Sequence, residues 1–166
     1  MATTTRNRWI KGIPMRLTTL CYIEKEGSYL MMHRIRKKQD ENAGKWIGIG
    51  GHMKEDETPE ECVRREIQEE TGLSVKDLKL RGVLTFILPA WSNELTFLYT
   101  ASTEEEDTKE CPEGILKWIP IDQIDDLPLW EGDRIFLPLL REREDCFSLK
   151  LIYDKEGRLT GSEMQK

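Results

Sequence analysis

One segment of this 166-residue chain carries signals for both ends of a helix. The run Thr58-Pro59-Glu60-Glu61 places a hydroxyl at the N-cap, proline at the first helical position and glutamate at N3, which is a capping box. Gly72 follows the thirteen residues 59–71 and stands where a left-handed residue ends a helix. Val63 and Ile67 form an apolar i, i+4 stripe. The sequence therefore predicts a helix that begins at Thr58, packs through this stripe and leaves its other face free to bind.

The C-terminal half of this helix carries three glutamates. Glu66, Glu69 and Glu70 are spaced i, i+3, i+4, so their carboxylates crowd one face, which we expect to point away from the apolar stripe. Like charges at this spacing cost about 0.2–0.5 kcal/mol per pair, and a divalent cation is the natural missing partner. The alternative is a solvated acidic face, as in many Glu-rich runs. Solvation alone does not explain the two glycines before the helix or Arg65 within it.

This segment resembles the Nudix box, the signature of the Nudix hydrolases. The family pattern is glycine, five residues, glutamate, seven residues, Arg-Glu, an apolar residue, any residue, Glu-Glu, any residue, glycine and an apolar residue. Every position is matched, by Gly51, Glu57, Arg65, Glu66, Ile67, Glu69, Glu70, Gly72 and Leu73. Seven fixed identities in one window make the motif specific. The resemblance implies an Mg²⁺-dependent enzyme, with Mn²⁺ as an alternative cation, that cleaves nucleoside diphosphates linked to another moiety.

The same resemblance implies roles for individual residues. Four groups would bind the metal: the carboxylates of Glu66, Glu69 and Glu70 and the backbone carbonyl of Gly50. Glu57 and Arg65 would pair and hold the loop against the helix. One glutamate would accept the proton of the attacking water, and we expect this general base to be Glu69, with Glu66 as the alternative.

Composition narrows the class of protein. A chain of this length with 38% hydrophobic residues is expected to form one globular domain at residues 15–166, preceded by an extension at residues 1–14. The net charge of -6 argues against binding of nucleic acid polymers and favours a small nucleotide partner. No apolar run is long enough to span a bilayer, and no signal peptide is evident, so a cytoplasmic location is expected. The four scattered cysteines predict buried free thiols rather than a zinc site.

Alternating apolar runs predict strands around the helix. A hairpin is expected from Leu17–Ile23 and Ser28–Arg34, a short strand at Trp46–Ile49, and further strands at Leu80–Leu88, Glu94–Ala101, Ile115–Ile119 and Phe147–Tyr153. Short helical structure is expected at Ile121–Leu127 and a second amphipathic helix at Gly132–Glu142. Mixed strands with two main helices favour an α+β protein arranged as an α/β/α sandwich with a mixed sheet. The resemblance implies the Nudix fold specifically.

A second resemblance lies outside the box. Trp118-Ile119-Pro120-Ile121-Asp122-Gln123-Ile124 and Trp130-Glu131-Gly132-Asp133 are similar to the C-terminal half of MutT-type enzymes that hydrolyse oxidised purine nucleoside triphosphates. By that similarity Trp130 would stack on the purine, Asp133 would hydrogen-bond to its edge and Glu113 would be a further metal-binding acid. The alternatives are that the tryptophans are core residues, that Asp133 is a helix N-terminal charge and that Glu113 is solvated.

The remaining pocket positions are less specific. Phe86 and Leu88 correspond to apolar pocket positions but also suit ordinary strand packing, and His33 corresponds to a substrate contact but also suits a structural role. His52, after the turn glycine, is a candidate phosphate contact. The basic residues Arg34, Arg36, Lys37 and Lys38 either steer an anionic substrate or form a solvated turn.

The sequence also departs from the mammalian MutT-type pattern. Ile47 replaces an asparagine that reads the base, and Gly132 replaces the first of two paired aspartates. An isoleucine side chain cannot hydrogen-bond to a base, so purine discrimination must be made differently. The expected function is hydrolysis of 8-oxo-dGTP to 8-oxo-dGMP and pyrophosphate. The alternatives are a Nudix pyrophosphatase for ADP-ribose or an unmodified dNTP, and a Nudix domain that binds nucleotides without turnover.

Overall fold

The structure is a computed structural model that describes residues 15–36 and 39–165. The described residues contain nine strands and two α-helices in one mixed sheet system. The strands are β1 (Arg16–Lys25), β2 (Ser28–His33), β3 (Trp46–Ile47), β4 (Ile49–His52), β5 (Lys76–Ile87), β6 (Glu94–Ser102), β7 (Ile115–Pro120), β8 (Phe147–Tyr153) and β9 (Leu159–Gln165). The helices are α1 (Pro59–Thr71) and α2 (Asp133–Glu142), with a 3₁₀ helix at Ile121–Asp126. The predicted extension at residues 1–14 lies outside the described residues.

The main sheet has the strand order β3-β2-β1-β6-β5-β8-β9, while β4 pairs with β1 and β7 pairs with β2. The pairs β1–β6 and β5–β8 are parallel, and the other pairs are antiparallel. The antiparallel β1–β4 register sets Leu20 opposite Gly50 and Thr19 opposite Gly51. This pairing brings the glycine turn to the middle of the sheet, just before α1.

The two helices cover opposite faces of the sheet. Successive strand residues point to opposite faces, so Cys21 packs in a cluster with Val63 and Ile67 of α1, while Tyr22 packs in a second cluster with Phe136 of α2. This arrangement confirms the predicted α+β architecture and its mixed sheet. None of the helices in the described ranges is both long and apolar enough to cross a membrane.

Local signals fix the limits of α1 as expected. The Thr58 hydroxyl accepts a hydrogen bond from the Glu61 amide at 3.1 Å, and the Glu61 carboxylate accepts one from the Thr58 amide at 3.0 Å. Gly72 adopts a left-handed conformation with φ 71° and donates its amide hydrogen to the Gln68 carbonyl. These contacts satisfy backbone groups that a helix leaves without intrahelical partners at its ends.

Several strand predictions need correction. The segment predicted as one strand at Trp46–Ile49 is divided into β3 and β4, because Ile47 pairs with β2 whereas Ile49 pairs with β1. Strand β5 begins four residues before the predicted Leu80, through two register shifts that its polar start conceals. Strand β9 was not predicted, and it forms a hairpin with β8.

The cysteine prediction is partly wrong. Within the described residues all four cysteines are free, but only Cys21, Cys62 and Cys111 are buried, and Cys146 is exposed. Cys146 directly precedes β8 and remains outside the core that begins at Phe147.

Candidate active site

The glycine turn allows one glutamate of α1 to approach the backbone closely. A Cβ atom at Gly51 would lie 2.6 Å from the Glu66 carboxylate, and a Cβ atom at Gly50 would overlap the carbonyl of Thr19. Contacts this short exclude any side chain without a shift of the neighbours. Glycine at both positions therefore lets β4 pair with β1 while Glu66 reaches over the turn.

Arg65 joins the loop before α1 to the glutamates on α1. Its guanidinium forms a two-pronged ion pair with Glu57 and donates to the His52 carbonyl at 3.1 Å. The hydrogen bond from Arg65 lowers the pKa of Glu57 to about 2. The other guanidinium nitrogen donates to Glu66 at 2.8 Å and to Glu69 at 3.2 Å. The predicted pairing of Glu57 with Arg65 is present, and it also fixes Glu66.

Glu70 was expected on the free face of the helix. It is instead buried, with a relative exposure of 6%. Position 70 is two turns after Val63, so the apolar stripe and the Glu70 side chain share one side of the helix. One carboxylate oxygen of Glu70 has no hydrogen-bond partner among the described residues. Burial, with further contributions from the carboxylates of Glu66 and Glu113, raises the pKa of Glu70 to about 9.

These carboxylates fit a divalent cation. A buried carboxylate oxygen without a donor, next to two other acids, is stabilised when a hard cation supplies the missing charge. No three acidic, histidine or cysteine side chains in the described ranges already converge as a metal centre. In the described structure Arg65 holds Glu66 and Glu69, and Arg34 holds Glu113 at 2.7 Å.

Arg34 also reaches the loop between β2 and β3. Its Nε donates to Asp40 at 2.7 Å, so one half-buried guanidinium joins Glu113 to this loop. Arg36, by contrast, is exposed and pairs with Glu110 at 3.3 Å. Lys37 and Lys38, the other basic residues considered for steering a substrate, lie outside the described residues.

The acids open into a cavity of about 460 Å³. Glu66, Glu70, Glu113 and Arg34 line one part of it, and His52 lies at the same end. Glu69 is not among the lining residues, and its side chain is 57% exposed. The predicted preference for Glu69 over Glu66 as the general base stays a prediction.

The other end of the cavity is aromatic. Trp130 meets Trp91 and Tyr153 edge to face, with ring centroids 5.6 and 5.5 Å apart, and Phe86 and Leu88 also line this end. The Lys45 ammonium lies 4.8 Å from the Trp130 ring centroid, and the indole N–H donates to the Asn42 side-chain oxygen at 2.7 Å. Sequence reasoning identified Trp130 and Phe86 but missed Asn42, Lys45 and Trp91, because a polar loop and an exposed turn carry no motif.

Asp133 is buried at the start of α2 and faces the aromatic end of the cavity. Burial raises the pKa of Asp133 to about 8, although the cations Lys45 and Arg134 partly oppose this shift. The side chain is therefore mainly protonated at neutral pH and can both donate and accept a hydrogen bond.

His33 and Trp118, both considered from the sequence, lie outside the cavity lining. His33 stacks on Trp46 with ring centroids 4.5 Å apart, its Nε2 is 3.2 Å from the Gly44 carbonyl oxygen, and it does not line the cavity. Trp118 packs against the α1 side of the sheet and donates its indole N–H to the Glu106 carbonyl. Glu113 is brought to the cavity as the similarity implied.

A family model described as the NUDIX domain matches residues 14–140. The chain belongs to the NUDIX family. It is 31% identical to an oxidized purine nucleoside triphosphate hydrolase of Danio rerio over 130 residues, which cover 78% of this chain and 81% of the relative. It is 27% identical over 150 residues to an uncharacterized Nudix hydrolase, YvcI, of Bacillus subtilis, covering 87% of this chain and 91% of the relative.

The fold agrees with this assignment. The crystal structure of a MutT protein from Bacillus halodurans superposes with a TM-score of 0.79 at 25% identity, over 90% of this chain and 97% of the other. These similarities confirm the sequence-based identification as a MutT-type Nudix hydrolase, a class of enzyme that generally uses divalent metals.

Proposed function

We propose that this Nudix hydrolase converts oxidised purine nucleoside triphosphates, 8-oxo-dGTP first, to the monophosphate and pyrophosphate in the cytoplasm. The observation that carries the proposal is the position of Asp133. A buried carboxyl group faces the same cavity as an aromatic wall and a cluster of glutamates. The relative from Danio rerio, whose name states this activity, supports the same substrate class.

The acidic end of the cavity suits the phosphates. Glu66, Glu70 and Glu113 would hold Mg²⁺ or Mn²⁺, joined by Glu69 and the Gly50 carbonyl. When bound, such a cation neutralises phosphate charge and lowers the pKa of the attacking water. Arg65 orients the two candidate general bases, because one of its nitrogens contacts both Glu66 and Glu69. One of these carboxylates then accepts the proton of the water.

The aromatic end suits an oxidised purine. Trp130 offers a ring face for stacking, which holds any base without selecting among them. Selection requires a hydrogen bond that the wrong base cannot make. Guanine oxidised at C8 carries a hydrogen on N7, whereas N7 of guanine is an acceptor, and the ionised form of the Asp133 carboxyl, which has no hydrogen to donate, would accept that hydrogen but could not bond to N7 of guanine. Asp133 would in this way distinguish oxidised from ordinary guanine, a task that Ile47 cannot perform.

The test compares kcat/KM for 8-oxo-dGTP, dGTP, 8-oxo-dATP and ADP-ribose with Mg²⁺, using chromatography of the products. We expect at least a tenfold preference for 8-oxo-dGTP over dGTP, about 1.4 kcal/mol of differential transition-state binding. The double variant Glu66→Gln/Glu69→Gln, which lacks both candidate bases, is purified in parallel and controls for contaminating phosphatases. Equal rates on all four substrates, or a preference for ADP-ribose, would contradict the proposal and leave only Nudix chemistry.

A further inference from the structure

A tyrosine of β8 is hydrogen-bonded to the turn that leads into α2. The buried Gly132, which is the N-cap of α2, donates its amide hydrogen to the Tyr153 hydroxyl at 2.8 Å. The same turn is closed from within, because the Asp133 amide donates to the Trp130 carbonyl at 3.0 Å. One hydroxyl from a strand distant in sequence therefore holds a four-residue turn that begins with Trp130 and ends with Asp133.

Tyr153 contacts this turn with its ring as well as with its hydroxyl. The side chain is buried, lines the cavity and meets the Trp130 ring edge to face, with the ring planes at 84°. The hydroxyl fills the space beside the turn, since a Cβ atom at Gly132 would lie 2.6 Å from the tyrosine oxygen. The Leu159 amide, also in the β8–β9 hairpin, donates to the Glu131 carboxylate at 3.2 Å. The hairpin therefore holds the turn at two points, and the buried point is Tyr153.

We propose that Tyr153 is a positioning residue, which holds Trp130 and Asp133 in the arrangement that binds the base of the nucleotide. The inference rests on the proposed function and adds a residue to it. A buried amide hydrogen without an acceptor is costly, so loss of the hydroxyl favours a rotation of the turn that gives the Gly132 amide another partner. Such a rotation moves Trp130 and Asp133 together, because both belong to the same turn. Contacts of this supporting kind decide whether a binding site keeps its geometry.

The substitution Tyr153→Phe isolates this contact, because it removes the hydroxyl and keeps the ring that meets Trp130. The matched control is Tyr29→Phe, which removes the hydroxyl of another buried tyrosine in the same core cluster, at a residue that does not line this cavity. Gly132→Ala breaks the contact from the other side, because its Cβ would displace the tyrosine oxygen. If both variants act by breaking one contact, the double variant Tyr153→Phe/Gly132→Ala is no worse than the more affected single variant.

The readout is the affinity, measured by calorimetry with Mg²⁺, for 8-oxo-dGMP, which carries a base, and for pyrophosphate, which does not. We expect Tyr153→Phe and Gly132→Ala each to weaken the binding of 8-oxo-dGMP about tenfold and to leave the affinity for pyrophosphate unchanged. Tyr29→Phe should match wild type for both ligands. In the triphosphate assay Tyr153→Phe should raise KM and leave kcat within about twofold of wild type, as expected when only binding of the base is weakened.

Three results would overturn the role of Tyr153. The first is an unchanged affinity of Tyr153→Phe for 8-oxo-dGMP, or a wild type that does not bind this ligand. The second is an equal loss of affinity for pyrophosphate, which would indicate a general loss of structure. The third is additive losses in the double variant, which would mean that the two single variants do not share one contact. Because the calorimetry involves no turnover, failure of the proposed hydrolysis is seen separately, in the triphosphate assay of the wild type.

Discussion

Replacement of Asp133 by asparagine is expected to change the pH dependence of stability. Burial raises the pKa of Asp133 from 3.8 to about 8 in the folded protein. A folded-state pKa above the unfolded value means that the folded state binds the proton more tightly. The stability from this group is complete below pH 3.8 and is lost as the pH rises toward 8. The loss amounts to about 1.4 kcal/mol per pH unit, or up to about 2.7 kcal/mol between pH 5 and pH 7.

Asparagine cannot ionise, so Asp133→Asn should lack this slope. Urea unfolding of both proteins at pH 5, 6 and 7, without nucleotide or metal, gives the difference in unfolding free energy at each pH. As the pH rises, the wild type should lose up to about 1.4 kcal/mol of unfolding free energy per pH unit relative to the variant. The difference should become constant above pH 8. Burial raises the pKa of the nearby Tyr22 and Tyr153, which keeps both tyrosines out of this range. If the unfolding free energies of the two proteins changed in parallel with pH, the raised pKa of the buried Asp133 would be refuted.

Four other substitutions test the rest of the site. Either Glu69→Gln or Glu66→Gln, whichever removes the general base, should lower kcat about 10²-fold or more, provided that both variants keep wild-type thermal stability. Near-wild-type turnover in both variants would contradict the assignment of the base. Trp130→Ala should raise KM for purine triphosphates about tenfold through lost stacking, while an unchanged KM would make Trp130 a packing residue. Gly51→Ala places a Cβ 2.6 Å from the Glu66 carboxylate and should reduce kcat strongly, whereas Gly161→Ala, whose nearest neighbour would be 3.5 Å away, should not.

Features encoded by neighbouring residues could be predicted from the sequence. The limits of α1 depend on Thr58, Glu61 and Gly72, which act within one helical turn of each end, and the structure confirms them. Strands with apolar runs, such as β1 and β8, were also placed to within two residues, because the alternation itself marks a half-buried strand.

Features that depend on contacts between residues distant in sequence could not be predicted from the sequence. Strand β9 is mostly exposed and contains Thr160, Gly161 and Ser162, so it lacks apolar alternation and is defined by pairing with β8. The spacing of Val63 and Glu70 already sets them on one side of α1, but the surroundings of the buried Glu70 carboxylate include residues distant in sequence, such as Glu113. The contact between Asn42 and Trp130 spans 88 residues of sequence, and nothing local to either residue announces it.

The two ion pairs of Arg34 have a thermodynamic consequence. Arg34 contacts Glu113 among the proposed metal ligands and Asp40 in the loop that carries Asn42, so one side chain links the acidic end of the cavity to this loop. A cation that draws Glu113 away from Arg34 changes the energy of the loop, and a base that reorders the loop changes the energy of Glu113. Such coupling is reciprocal, because the factor by which one ligand alters the affinity of the other is the same in both directions. The concentration of cation needed for half-saturation should therefore shift with the base of the nucleotide, and not only with its phosphates.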